Sequence, residues 1–206
     1  MNQSTIEQLL SLLPRNKTIE SAVSGLFFYC ADKPSKAVSY IQEPSICIVL
    51  QGAREIYLGA DCQRFDKSNL MFCPVNIPLS MHIRHATVER PVIVLSMKLN
   101  LVMIGEVLAK IPPKPPNTER HLGIKWQLDS TIMAAFERLI HLLDYPNDIG
   151  FLAPLIQQEI YYRLLIAEQG NKLRQLVVNG SHTHRISKAT DWIKTHLNET
   201  IVIEEL

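Results

Sequence analysis

The stretch SICIVLQGAREIYLG, residues 45–59, carries the side chains best suited to small-molecule chemistry. Gln51 and Arg54 flank Gly52, a turn residue, and can face the mouth of a cavity. A pocket for a small carboxylated or carbonyl effector needs one such donor among apolar walls. The competing reading places Arg54 on the surface of an exposed strand, and surface placement is what the sequence predicts for it. Cys47 lies in the most apolar part of the same stretch. A free cysteine in such a run is commonly a packed core residue. With a lowered pKa it would instead react with an electrophile such as an aldehyde or oxidant. Cys47, Gln51 and Arg54 are therefore the candidate ligand-binding residues.

Other chemistry is poorly supplied. His82 and His85 stand at i and i+3 in MHIRH, and on a strand those positions point to opposite faces. No H-x-H followed by a glutamate accompanies them, so neither a metal nor another cofactor is expected. The H-x-H in SHTH, residues 181–184, has no cysteine or carboxylate at zinc spacing, and it reads as a polar hinge before a helix. Glu43, Glu55, Asp61 and Asp66 sit at turns or on alternating strands, where no two make an acid–base pair. No G-x-S-x-G, P-loop or G-x-G-x-x-G is present, and no catalytic residue is assigned.

The elements that must hold these residues follow from periodicity. Residues 4–13 predict a short helix stopped by Pro14. From Val23 to Leu99 seven short β runs recur at roughly ten-residue spacing, as in sandwiches and small barrels. No helix-length segment interrupts them, so an antiparallel sheet is expected. In SICIVLQG, Ile46, Ile48 and Leu50 share one face and Cys47 and Val49 the other. A strand apolar on both faces implies a closed or double-layered β structure. Asn100 is placed to cap a helix carrying Leu101, Ile104 and Leu108. The proline run IPPKPPN is a stiff connector. Beyond it, helices are predicted after Asp129, over about 151–169, and over 172–178. The fold class is α+β. Three regions are expected: 1–112, a β domain with an N-terminal helix; 113–180, helical; and 181–206, an incomplete third module.

Helix 151–169 is apolar over more than one face, so it needs two partners. The β domain and a second copy of the chain are the expected partners, and burial entirely within the monomer is the competing reading. Leu155, Gln158, Tyr162 and Leu165 are the candidate dimer contacts, and a homodimer is expected.

The 206 residues carry a formal net charge of +1, and no basic stripe argues for a nucleic-acid groove. The first sixteen residues lack the basic and apolar regions of a secretory signal, and no run of eighteen apolar residues exists. Cys30, Cys47, Cys62 and Cys73 form no C-x-x-C pair and are expected to be reduced thiols in a cytoplasmic protein without a membrane partner.

The closing segment RISKATDWIKTHLNETIVIEEL places Ile186, Ala189, Ile193 and Leu197 on one helical face. It resembles the opening of the AraC/XylS-type DNA-binding domain. EPSICIVLQGAREIYLG, LAPLIQQEIYYRLL and the LRQL…NGS approach resemble the N-terminal regulatory domain of one branch of those regulators. The resemblance implies a cupin-like β barrel that senses a small-molecule effector, helices that dimerise, and a C-terminal domain that reads DNA through two helix-turn-helix units. No recognition helix lies within these residues, so no DNA-binding residue is assigned and DNA is a partner of the full-length protein alone. The expected function is the signal-sensing, dimerising part of a truncated AraC-family regulator. A cupin-type metal-dependent isomerase or dioxygenase is the alternative. A naturally short protein that heterodimerises with full-length regulators is a third reading.

Overall fold

A computed structural model describes residues 3–112 and 124–178. The connector beyond Pro112, the break at 179–181 and the module expected over 181–206, with its H-x-H, lie outside the described residues.

Helix α1, Gln3–Leu12, opens the fold, and ten strands follow. Nine precede the next long helix: β1 (Lys17–Glu20), β2 (Leu26–Ala31), β3 (Val38–Gln42), β4 (Ser45–Gln51), β5 (Ala53–Leu58), β6 (Asp61–Asp66), β7 (Asn69–Cys73), β8 (Ile77–His82) and β9 (Val92–Lys98). Then come α2 (Leu101–Leu108), β10 (Lys125–Gln127), α3 (Ser130–His141), α4 (Pro146–Ile166) and α5 (Asn171–Val178). The strands form two sheets, ordered β1-β2-β9-β4-β7-β10 and β3-β8-β5-β6. Every pairing among the described residues is antiparallel. The result is the expected double-layered α+β architecture.

The two faces of β4 separate two cores. Ile46, Ile48 and Leu50 join Phe28, Phe72, Leu95 and Met97 beneath the helices. Helices α3 and α4 add Phe136, Leu139, Ile160, Tyr161 and Leu164 to this core, and α1 adds Ile6 and Leu9. Cys47 and Val49 face the other way, into a smaller core with Met71, Val94, Ile56, Phe65 and Leu79 between the sheets. Residues on both sides of the proline run therefore share one core. Strand β10 tightens that link: it pairs with β7, where Trp126 stands opposite Leu70 and packs tilted against Phe72, ring centroids 4.5 Å apart.

Local chemistry explains the boundaries. Asn100 caps α2, its side chain accepting the Met103 amide at 3.1 Å. Asp129 caps α3, accepting the Thr131 and Ile132 amides at 2.7 and 2.9 Å. Gly52 adopts φ +80°, and a Cβ there would lie 2.8 Å from Val92 Cγ2, so the β4–β5 corner needs glycine on both counts.

The structure also corrects the periodic reading. Strands β1, β3 and β10 are not among the seven predicted runs. Exposure of Val38 and Ile41 on the edge strand β3, and the brevity of β10, leave no clear alternation to detect. Helix α4 begins at Pro146, five residues before the predicted start. A proline at the first helical position satisfies the turn geometry it elsewhere breaks.

Candidate functional site

A cavity of about 540 Å³ opens between the two sheets. Its walls come from β2, β3, β4, β8 and β9, with Arg54 entering from β5. Phe27, Tyr29, Tyr40, Met81 and Val94 supply the apolar surface. Cys47 and Ser96 stand opposite each other in the β4–β9 register, and Cys47 Sγ lies 3.2 Å from Ser96 Oγ. Ser96 is the uncharged polar residue that β9 turns to the cavity, between Val94 and Lys98 on the same face.

Arg54 is buried, with 5% of its surface exposed, which corrects the surface placement predicted for it. Alternation on β5 puts Arg54 with Ile56 on the inner face, and Phe65 covers it from β6 as its register partner. Its Nη1 donates to Met81 Sδ at 3.7 Å, a weak acceptor. Its Nε and Nη2 are buried without a hydrogen-bond partner. Burial pushes the Tyr40 phenol pKa up, and the Arg54 charge offsets part of that rise, so the phenol stays neutral beside the guanidinium. At the mouth, Lys98 pairs with Glu43 at 2.7 Å and lies over the Phe27 ring.

Gln51 parts company with the other two candidates. A register irregularity between Val49 and Gln51 re-aims the chain, and Gln51 Nε2 donates to the Pro91 carbonyl at 2.9 Å. It lines a separate groove of about 810 Å³ with Arg64, Arg84 and Arg90. Arg84 is paired there with Glu55, whose carboxyl is held below the usual range chiefly by that hydrogen bond. His82 Nδ1 lies 3.7 Å from Glu55, and His85 is exposed. Among the described residues no group of three or more His, Cys, Asp or Glu is arranged to hold a metal ion. The described residues also include no helix long and apolar enough to cross a membrane.

The site residues missed from sequence are Tyr40 and Ser96. Tyr40 sits on the undetected edge strand. Ser96 offered a faint signal, a lone hydroxyl within the apolar run 92–97.

A tyrosine hydrogen-bonds the cavity wall to the helices. Tyr161 of α4 donates its hydroxyl to the Lys98 carbonyl at 3.1 Å and accepts the Asn100 amide at 3.0 Å. On the far side of α4, Phe151, Leu155, Tyr162 and Ile166 are exposed. They stand at i, i+4, i+11 and i+15, one narrow stripe of the helix. Gln158 is half-buried beside them. Leu165 is fully buried in the main core, so it presents no surface to a second copy, which corrects its candidacy as a dimer contact.

Known structures share this architecture. An apo variant of ToxT from Vibrio cholerae superimposes with a TM-score of 0.53 at 7% identity, covering 90% of this chain and 70% of that one. Unsaturated fatty acid bound wild-type ToxT, from the same organism, gives a TM-score of 0.50 at 9% identity, covering 77% of this chain and 58% of that one. No curated protein matches the chain. The family model described as AraC-type transcriptional regulator N-terminus matches residues 22–172, and that span holds all ten strands but β1 together with α2, α3 and α4. With the match running over both sheets, the cavity between them and the helices packed on them, the chain belongs to the AraC-type regulator N-terminal family and is the regulatory domain of such a regulator.

Proposed function

We propose that this domain binds a small-molecule effector in the cavity between its sheets and passes the occupancy of that cavity to a dimer interface on α4. The carrying observation is the continuous path from Ser96 and Lys98, in the cavity wall, to Tyr161 on the dimer helix. The domain acts without catalysis, in the cytoplasm, as a homodimer. Leu155, Gln158 and Tyr162 supply contacts, and Phe151 and Ile166 extend the stripe. DNA is contacted by other parts of the full-length regulator. Cys47 and Arg54 are the effector-facing residues, and Gln51 is set aside for the reason given above. That a ToxT structure of the same fold carries an unsaturated fatty acid supports a ligand-binding role for this architecture.

A thermal-shift screen of small molecules tests this reading. Ligands that raise the melting temperature of the wild type should fail with Ser96→Trp, which fills the cavity. Hits unaffected by that substitution would place effector binding elsewhere and sink the proposal.

A further inference from the structure

The burial of Arg54 specifies the ligand. A guanidinium carries five N–H donors in a planar fork shaped for a carboxylate. In this protein the guanidinium is 5% exposed, Nη1 reaches only the Met81 thioether, the neighbouring Tyr40 phenol is neutral, and Nε and Nη2 have no acceptor in hydrogen-bond geometry. Among the described residues no carboxylate lies within ion-pair distance of it. A buried charge left in that state is unfavourable, because the interior does not replace the water it has lost. Whatever enters the cavity gains by supplying the missing acceptors.

The charge count along the walls narrows the choice. Arg54 and Lys98 are cationic, Glu43 is anionic, and Glu43 is already bound to Lys98 at 2.7 Å. One uncompensated positive charge remains, enough for a monoanion and too little for a dianion such as a phosphate monoester. Around it stand Phe27, Tyr29, Tyr40, Met81 and Val94. The volume of about 540 Å³ lies within the range of drug-sized ligand sites, roughly 300–1,000 Å³. Resting on the reading of this cavity as the effector site, we infer that its ligand is an amphiphilic monocarboxylate. The carboxylate is held by the Arg54 fork, and the apolar body lies along the aromatic wall.

Decanoate and decanol, which share a chain and differ in the charged head, test this with the neutral fluorophore aminoanthracene as reporter. Aminoanthracene should brighten in the wild-type protein and stay dim in Ser96→Trp. Decanoate should displace it at a concentration at least about tenfold lower than decanol, the scale of one charge-assisted hydrogen-bond pair. In Arg54→Gln that preference should shrink to about twofold or less. Equal displacement by the two in the wild type, or a preference that survives Arg54→Gln, overturns the carboxylate assignment and leaves the cavity reading standing. No brightening in the wild type, or undiminished brightening in Ser96→Trp, removes the cavity reading and the assignment with it. The wild-type comparison decides the matter even where Arg54→Gln does not fold.

Discussion

Tyr161 and Asn100 are joined by a hydrogen bond of 3.0 Å, from the Asn100 amide to the Tyr161 hydroxyl. The same hydroxyl donates to Lys98. One phenol thus ties α4 to the junction where the cavity-lining strand β9 ends and α2 begins. Helix α4 takes its position on the sheet from that tie as well as from the apolar core.

Tyr161→Phe keeps the ring packing and removes both bonds. A loss of about 1–2 kcal/mol is expected, with a melting temperature lower by roughly 2–8 °C in a chain of this size. Ligands that bind the cavity should still stabilise the variant. Their effect on self-association should weaken, as sedimentation velocity with and without ligand would show. An unchanged coupling would mean that the core alone transmits the signal.

The exposed stripe on α4 predicts a charge-sensitive association. Leu155→Asp combined with Tyr162→Asp should leave the fold intact by circular dichroism and shift sedimentation to the monomer. Leu165→Asp should unfold the chain, since an unpaired carboxylate would replace a side chain in the main core and cost more than about 4 kcal/mol. A double variant that still dimerises would move the interface off this helix.

Strongly alkaline pH should destabilise the fold, and neutral pH should not. Burial pushes the Cys73 thiol up to about 12 from 9.0 and the Tyr161 phenol up to about 12 from 10.0. In both cases the folded state holds its proton more tightly than the unfolded chain. The associated stability is fully present below pH 9 and is lost as pH rises from there to about 12, because the unfolded chain ionises first. Urea midpoints measured across that window should fall, and Cys73→Ala with Tyr161→Phe should flatten the decline. A midpoint independent of pH between 9 and 12 would contradict it.

Gly170 closes the turn between α4 and α5, and a Cβ added there would meet the carbonyl oxygens of Leu164 and Leu165. Backbone cannot yield as a flexible side chain does. Gly170→Ala should therefore cost about 1–3 kcal/mol, read as a lower urea midpoint with an unchanged slope.

Much of this molecule is written in local pattern. The period-two runs, the two apolar faces of β4 and the caps at Asn100 and Asp129 depend on residues near one another in the chain, and they were legible without coordinates. So was the apolar breadth of α4, although not which of its residues face outward. Leu155 and Leu165 are alike in type. One is exposed and the other buried because only the packing of α3 and the sheet decides which side of the helix is covered.

Tertiary structure alone decided which side chains line the cavity. Arg54 reads as a surface residue by composition, since burying an unpaired guanidinium is unfavourable and local sequence gives no reason for it. Its inward aim comes from the register of β5 against β6 and β8 and from the second sheet closing over it. Cys47 and Ser96 are 49 positions apart and meet through the pairing of β4 with β9. Gln51 stands four residues from Cys47 and still leaves the cavity, turned away by the irregularity after Val49. Short-range pattern sets which face of an element is apolar, because it reflects the geometry of neighbouring residues. Which polar groups share an interior space is set by long-range pairing, and that information is spread over strands that touch only in the folded chain.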